Sequence, residues 1–206
     1  MRLTCLTLLL LAAPGLMAQG VRTNGGLQVG LSLPTGDFAD KKTASGDYLG
    51  ANEGAGLHFG GHFDFNLTPQ HQLRLILVSN GFASKKQDTF SGGIYDGTRQ
   101  NTFGVVQFGA DYVFNATSPS RGGYFLAGLN VNHVKAKAEF SFYPDAEATQ
   151  SGRIGVRVGG GYTFNRTFSL EGHFNSVSVD KSGKDGLGYD SITWLAVSAV
   201  FRFGQP

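Results

Sequence analysis

Residues 57–65 read Leu-His-Phe-Gly-Gly-His-Phe-Asp-Phe. In an extended chain Leu57, Phe59, Phe63 and Phe65 share one side, and His58, Gly60, His62 and Asp64 share the other. Side chains of a strand alternate between two faces, so this is a strand with one clean apolar face. The same period recurs in both directions along the chain. Leu27, Val29, Leu31 and Leu33 oppose Gln28, Gly30 and Ser32. Leu73, Leu75 and Leu77 oppose Gln72 and Arg74, although Ile76 and Val78 blur the second face. Val106, Phe108, Ala110, Tyr112 and Phe114 oppose Gln107, Gly109 and Asp111, and Phe125, Ala127, Leu129 and Val131 oppose Gly128, Asn130 and Asn132. Ile154, Val156, Val158, Tyr162 and Phe164 oppose Arg153, Arg157, Gly159 and Gly161. Phe168, Leu170 and Phe174 oppose Glu171, His173 and Asn175, and Leu195 to Phe203 alternates against Trp194, Ser198 and Arg202. The pattern predicts eight strands and no helix.

Connection lengths predict how those strands are joined. Short connections fall near 66–71, 115–122 and 165–167, and long ones near 34–54, 82–99, 138–151 and 180–189. Short turns at one end and long loops at the other describe an up-and-down antiparallel barrel. The short-turn end carries a repeat: Phe-Asp-Phe-Asn at 63–66, Tyr-Val-Phe-Asn at 112–115, Tyr-Thr-Phe-Asn at 162–165 and Phe-Arg-Phe-Gly at 201–204. Each places two aromatics on the apolar face just before a turn former. Rings with one apolar side and one wet edge favour a membrane–water boundary, so the four copies read as an aromatic girdle. Asn tolerates turn dihedrals and bonds its own backbone, which accounts for Asn66, Asn115 and Asn165.

Composition selects the membrane version of this barrel over a soluble one. Of 206 residues only 16% are charged, against 31 Gly and 17 Phe; an ordinary soluble domain has about 25% charged residues. All eight lysines, Lys41, Lys42, Lys85, Lys86, Lys135, Lys137, Lys181 and Lys184, fall in or beside the long connections. A soluble barrel scatters Lys along its wet faces. A lipid-facing Lys at the bilayer midplane costs ~2–4 kcal/mol. The net charge of +2 gives no reason to expect a nucleic-acid partner, and one Cys excludes a disulfide framework. The start of the chain reads as a targeting segment. Met1-Arg2 precedes an apolar run from Leu6 to Ala13, and Leu16-Met17-Ala18 resembles a cleavage site. The expected organisation is a signal peptide over 1–18 and one barrel domain over 19–206, with strands spanning about 25–203.

With these residues in place, the chain resembles the small eight-stranded outer-membrane β-barrel proteins of Gram-negative bacteria. The most telling piece is Leu195-Ala-Val-Ser-Ala-Val-Phe-Arg-Phe203, an alternating final strand closed by Phe and followed by Gly204-Gln205-Pro206. The resemblance implies an all-β, eight-stranded antiparallel transmembrane barrel with a filled polar lumen. It also implies recognition by the barrel-assembly machinery during insertion, contact with outer-membrane lipids and lipopolysaccharide, and a monomer in the outer membrane.

Eight strands enclose only enough room for side chains. The inward face is expected to gather Asp64, Arg74, Asp111, Arg153, Arg157, Glu171, His173 and Arg202 into a paired polar network, since unpaired buried charge is severely unfavourable. His58 and His62 share a face but lie ~13 Å apart along a strand, too far for one metal ion, so neither a metal nor a cofactor is expected. Two functional readings remain. One is a structural or surface-binding barrel without catalysis, whose loop lysines attract the phosphates of lipopolysaccharide. The alternative is partial resemblance to barrel enzymes that hydrolyse lipid A acyl chains. Those carry His-x-Ser on a late strand and an acidic residue beyond a loop, where a carboxylate-oriented His can activate the Ser. Here the corresponding set is His173, Ser176 and Asp190, with the serine displaced by one residue, so a β-bulge is needed to realign it.

Overall fold

The computed structural model describes residues 22–39, 51, 54–91, 94–182 and 186–204, leaving the expected signal peptide outside the described residues. The strands are β1 (Arg22–Thr35), β2 (Gly56–Asn66), β3 (His71–Ala83), β4 (Gln87–Ser91), β5 (Ile94–Asn115), β6 (Gly122–Phe140), β7 (Ala146–Thr163), β8 (Phe168–Ser178) and β9 (Ser191–Phe203). Eight of them form a ring of antiparallel neighbours, in which β3 pairs directly with β5 and β9 closes onto β1. The short β4 pairs with β5 alone and forms a hairpin above the ring. Closure leaves no free edge, which is what allows a sheet to cross lipid. No helix among the described residues is long and apolar enough to cross.

The outward side chains form the band that the alternation demands. Leu31, Leu57, Phe59, Leu77, Leu129, Ile154, Val158, Leu195 and Val197 are all exposed. Near the short turns the band ends in aromatics, where Phe164 stacks on Phe168 at 5.7 Å between ring centres and Phe168 meets Phe201 at 5.5 Å. An exposed apolar belt of this extent is stable only against lipid.

The strands run further at the long-loop end than the sequence reading expected. β5, β6 and β7 contain 22, 19 and 18 residues. The connection expected over 138–151 shrinks to residues 141–145, and that over 82–99 contains the β4 hairpin. Lys135 and Lys137 consequently sit within β6 instead of beside it. Lys-Ala-Lys-Ala at 135–138 is itself period two, with Ala136 and Ala138 buried inside. Its polar face points to water because this part of β6 stands beyond the apolar band. β7 also carries an extra residue, Gly152 at φ +71°, where the pairing slips between Asn132 and His133. Glycine takes that left-handed dihedral without a Cβ clash, and the resulting bulge inverts which parity faces inward above it.

β7 and β8 pair with residue numbers summing to 332, as the lipid-side positions of Phe164 and Phe168 require: Gly161 faces Glu171 and Gly159 faces His173. A Cβ on Gly159 would lie 2.6 Å from the His173 Cβ, and one on Gly161 would lie 2.5 Å from the Tyr124 hydroxyl. Gly159→Leu and Gly161→Leu are therefore expected to destabilise the barrel by ~1–3 kcal/mol, whereas Val158→Leu on the half-exposed lipid side is expected to be nearly neutral. Urea unfolding in lipid vesicles measures all three variants; equal stability would contradict the inward placement of both glycines.

Candidate functional site

The lumen is filled in three tiers, and the lowest carries the charge. Asp64 of β2, Arg74 of β3 and Asp111 of β5 are consecutive cross-strand partners. Arg74 donates from Nε to Asp64 Oδ1 at 2.8 Å and from Nη1 to Glu171 Oε2 at 2.7 Å. Glu171 Oε2 also accepts from the Tyr124 hydroxyl at 2.9 Å, while Oε1 accepts from Arg157 Nη2. Arg157 Nη1 lies 3.4 Å from Asp111 Oδ2. The sequence Asp64–Arg74–Glu171–Arg157–Asp111 thus alternates in sign across the barrel. Arg202 of β9 adds a third cation, with its Nε 3.9 Å from Asp64 Oδ2. The guanidinium carbons of Arg74 and Arg202 lie 5.9 and 5.6 Å from the centre of the Tyr124 ring, close enough for cation–π attraction.

Glycine makes room for this tier. A Cβ on Gly128 would run into Asp111, one on Gly26 into His62, and one on Gly161 into Tyr124. Charged side chains from six strands, with Tyr124 from a seventh, thereby fit inside a ring too narrow for eight large residues per level.

The middle tier is neutral and polar. His58 Nδ1 lies 3.0 Å from Ser32 Oγ and its Nε2 lies 2.7 Å from Ser198 Oγ. Ser32 donates to Asn80 Oδ1 at 3.2 Å, and Asn80 Nδ2 donates to Gln107 Oε1 at 3.2 Å. Asn132 continues the chain to Asn130 at 2.6 Å. The His58 and His173 rings are 5.9 Å apart, and His173 Nδ1 is 3.5 Å from Glu171 Oε1, which joins the two tiers.

The upper tier is apolar. Phe38, in the short 3-10 turn after β1, is fully buried and meets Phe82, Phe103 and Tyr189 edge-on at 5.4, 4.9 and 6.2 Å. Trp194, Val105, Val134, Val177 and Ile192 complete a hydrophobic plug over the polar lumen. The sequence reading did not foresee it, because its members come from residues that look like scattered exceptions on polar faces. Their common level in the barrel depends on register.

Of the expected network, Asp64, Arg74, Asp111, Arg157, Glu171, His173 and Arg202 lie together inside the barrel. Arg153 does not join them. It sits beside the Gly152 bulge and turns to Asp180 at the long-loop rim, forming a two-pronged ion pair there. Tyr124 and His58, which no sequence argument singled out as network members, are central to it. Their parity relative to Gly128 and Asp64 is the signal that locates them. Beyond the ladder, Lys137 is raised by hydrogen bonds to Glu139 and Asp145, and Asp145 is lowered by its bond to Lys137.

His173, Ser176 and Asp190 are not brought together. β8 pairs without any register shift against both neighbours, so Ser176 shares the outward side with Phe174 while His173 points in. The bulge needed to bring Ser176 to the histidine is absent from β8. Asp190 is exposed at the rim, where Lys181 Nζ lies 3.3 Å away. No group of three potential metal ligands occurs among the described residues.

Comparison with solved structures agrees with this architecture. Ail, the attachment invasion locus protein of Yersinia pestis, solved in complex with the heparin analogue sucrose octasulfate, superposes with a TM-score of 0.54 at 12% identity, over 88% of this chain and 99% of that one. This chain has the fold of a small outer-membrane β-barrel. A second Ail structure gives 0.53 at 12% identity over the same shares of the two chains. The N-terminal barrel domain of Pseudomonas aeruginosa OprF gives 0.49 at 12% identity, covering 89% of this chain and 99% of that domain. No family model and no curated protein sequence matches the chain.

Glu171 is the shared acceptor of two buried arginines. Glu171→Gln is expected to cost ~3–5 kcal/mol, the usual penalty for leaving buried charge uncompensated. Glu147→Gln, which removes the exposed partner of Lys135, is expected to be nearly silent because water screens that pair. Denaturant unfolding in bilayers compares the two, and a silent Glu171→Gln would mean that the ladder is not a structural element.

Proposed function

We propose that this protein is a closed, non-conducting barrel of the Gram-negative outer membrane, with a structural and surface-binding role carried by its outer connections. The observation that supports this most directly is the Phe38–Trp194 plug above the charged ladder. A lumen filled at both levels has no continuous path for ions, and His173, Ser176 and Asp190 stand apart. What remains available to a partner is the outer extension of β5, β6 and β7 with its connections. Lys85, Lys86, Lys135 and Lys181 are exposed there, while Lys41, Lys42 and Lys184 lie outside the described residues. Lipopolysaccharide presents phosphates at that level, and exposed ammonium groups attract them electrostatically. Ail, a barrel of the same fold, binds a polysulfated saccharide analogue, and an anionic saccharide partner suits the lysines of this chain equally. We propose that the chain acts as a monomer, inserted by the barrel-assembly machinery.

Two measurements test this reading. Purified protein in a planar bilayer is expected to show no steady large conductance; stable porin-like channels would overturn the closed lumen. In lipopolysaccharide-containing bilayers the protein is expected to melt at a higher temperature than in neutral phospholipid. That gain should shrink with added salt and in a Lys85→Gln/Lys86→Gln variant. Identical melting in both bilayers would remove lipopolysaccharide as the partner.

Orientation is testable in the same material. The mature chain is expected to have no Cys, since Cys5 lies in the signal segment. A cysteine placed at Ser91 is expected to react with an impermeant reagent on intact cells and one at Ser118 to be protected; the reverse pattern would invert the topology.

A further inference from the structure

His133 and Ser151 are the first outward polar partners on β6 and β7 beyond the apolar band, and they face each other across the two strands. His133 Nδ1 lies 2.7 Å from Ser151 Oγ, and both residues are exposed. On the bilayer side of the pair, Val131 and Ile154 present exposed apolar side chains, and Val106 of β5 stands directly opposite His133. On the other side Lys135 and Glu147 begin a charged face. The pair therefore sits at the level where lipid gives way to water.

The Gly152 bulge creates this pair. Toward the short turns the odd-numbered residues of β7, such as Arg157, are buried; beyond the bulge the even-numbered Ala148 and Gln150 are buried and Ser151 is turned outward. If the lower register continued, in which Asn132 faces Arg153, His133 would face Gly152 and Ser151 would keep the inward parity of Arg157. Gly152 itself has no partner in the pairing of β7 with β6 or with β8, so its N–H is left out of the ladder. A Cβ placed on Gly152 would meet nothing within 4 Å, so the space over that N–H is open. A serine hydroxyl bonded to an imidazole, with an open backbone donor on the following residue, provides the nucleophile, the base and the oxyanion donor of acyl transfer.

We propose that His133, Ser151 and Gly152 form an ester-cleaving site for an acylated lipid in the leaflet at the long-loop end. The acyl chain lies along Val106, Val131 and Ile154, which places its ester at the level of Ser151. Ser151 Oγ attacks the ester carbonyl carbon while His133 Nδ1 takes the hydroxyl proton, and the oxyanion that forms accepts from the Gly152 N–H. Collapse breaks the bond to the alcohol oxygen, which takes the proton from His133 and leaves as the alcohol, with the acyl group on Ser151. Water at the interface then attacks the acyl-serine, His133 receives its proton and returns it to Ser151, and the fatty acid departs. The site stands on the outer wall and shares no residue with the charged ladder, with the plug or with Lys85 and Lys86. The closed lumen and the attraction of lipopolysaccharide can therefore hold or fail without it.

The test uses the folded barrel in nanodiscs of ether-linked phosphatidylcholine, whose chains carry no ester. A long-chain alkyl fluorophosphonate, which labels activated serines, is added and the modified peptide is identified by mass spectrometry. Label is expected on Ser151, a reading that needs no variant. Hydrolysis of 4-nitrophenyl decanoate and of 4-nitrophenyl acetate is then followed above the spontaneous rate. Decanoate hydrolysis is expected to vanish in Ser151→Ala and to fall about a hundredfold or more in His133→Gln. Thr149→Ala, which removes the next outward hydroxyl of β7, is expected to leave it unchanged. All three positions are exposed, and urea unfolding in the same nanodiscs is expected to give midpoints matching the unsubstituted barrel. The acetate is expected to have a kcat/KM about tenfold or more below that of the decanoate, because only the longer chain reaches the apolar band. Absence of label on the unsubstituted protein, label on a serine other than Ser151, hydrolysis that survives Ser151→Ala, or equal kcat/KM for the two esters overturns the proposal.

Discussion

An eight-stranded ring has room inside for side chains and for little else, and this constraint governs the rest of the molecule. Three arginines and three carboxylates are placed in that space, where any one of them alone would be strongly disfavoured. Glu171 resolves the conflict by accepting from Arg74, Arg157 and Tyr124 together. The glycines opposite are the geometric counterpart. Gly159 and Gly161 leave the volume that His173 and Glu171 occupy, and Gly128 leaves that of Asp111. Charge pairing and glycine placement are one arrangement seen from two sides of the same strand pairs.

The barrel is a composite of two kinds of interior. Within the membrane band the outside is apolar and the inside polar, the reverse of a soluble domain. Beyond the band, on β5, β6 and β7, the outside becomes polar and the inside becomes the hydrophobic plug around Phe38 and Trp194. The change follows from solvent: once lipid is replaced by water, apolar side chains gain by turning inward. The Gly152 bulge lets β7 make this change while keeping its hydrogen bonds to β6. Arg153 marks the transition, and its partner is the rim residue Asp180 rather than any carboxylate of the ladder.

These two interiors also differ in what they do for the fold. The charged and polar tiers hold the barrel together, while the plug separates them from the outer surface. Beyond the membrane band, the exposed charges of β6 and β7 and their connections are of both signs, with Lys135 beside Glu147 and Lys137 beside Glu139 and Asp145.

The strand count of the ring, its up-and-down order, the lipid-facing residues and the β7–β8 register were legible in the sequence. They depend on period-two alternation and turn length, which are local properties, and a one-residue slip would carry Leu170 and Phe174 into the lumen. Most of the inward charges were legible for the same reason, since parity alone assigns a face. What parity cannot assign is height and azimuth within the barrel. Whether Arg74 reaches Glu171, whether Arg153 stays inside, and whether Phe38 and Trp194 meet depend on stagger between strands distant in sequence and on a bulge at one glycine. Those relations, and with them the plug and the His58–Ser198 contact, were decided only when the ring closed, because closure is what brings turns and strands far apart in the chain to one level.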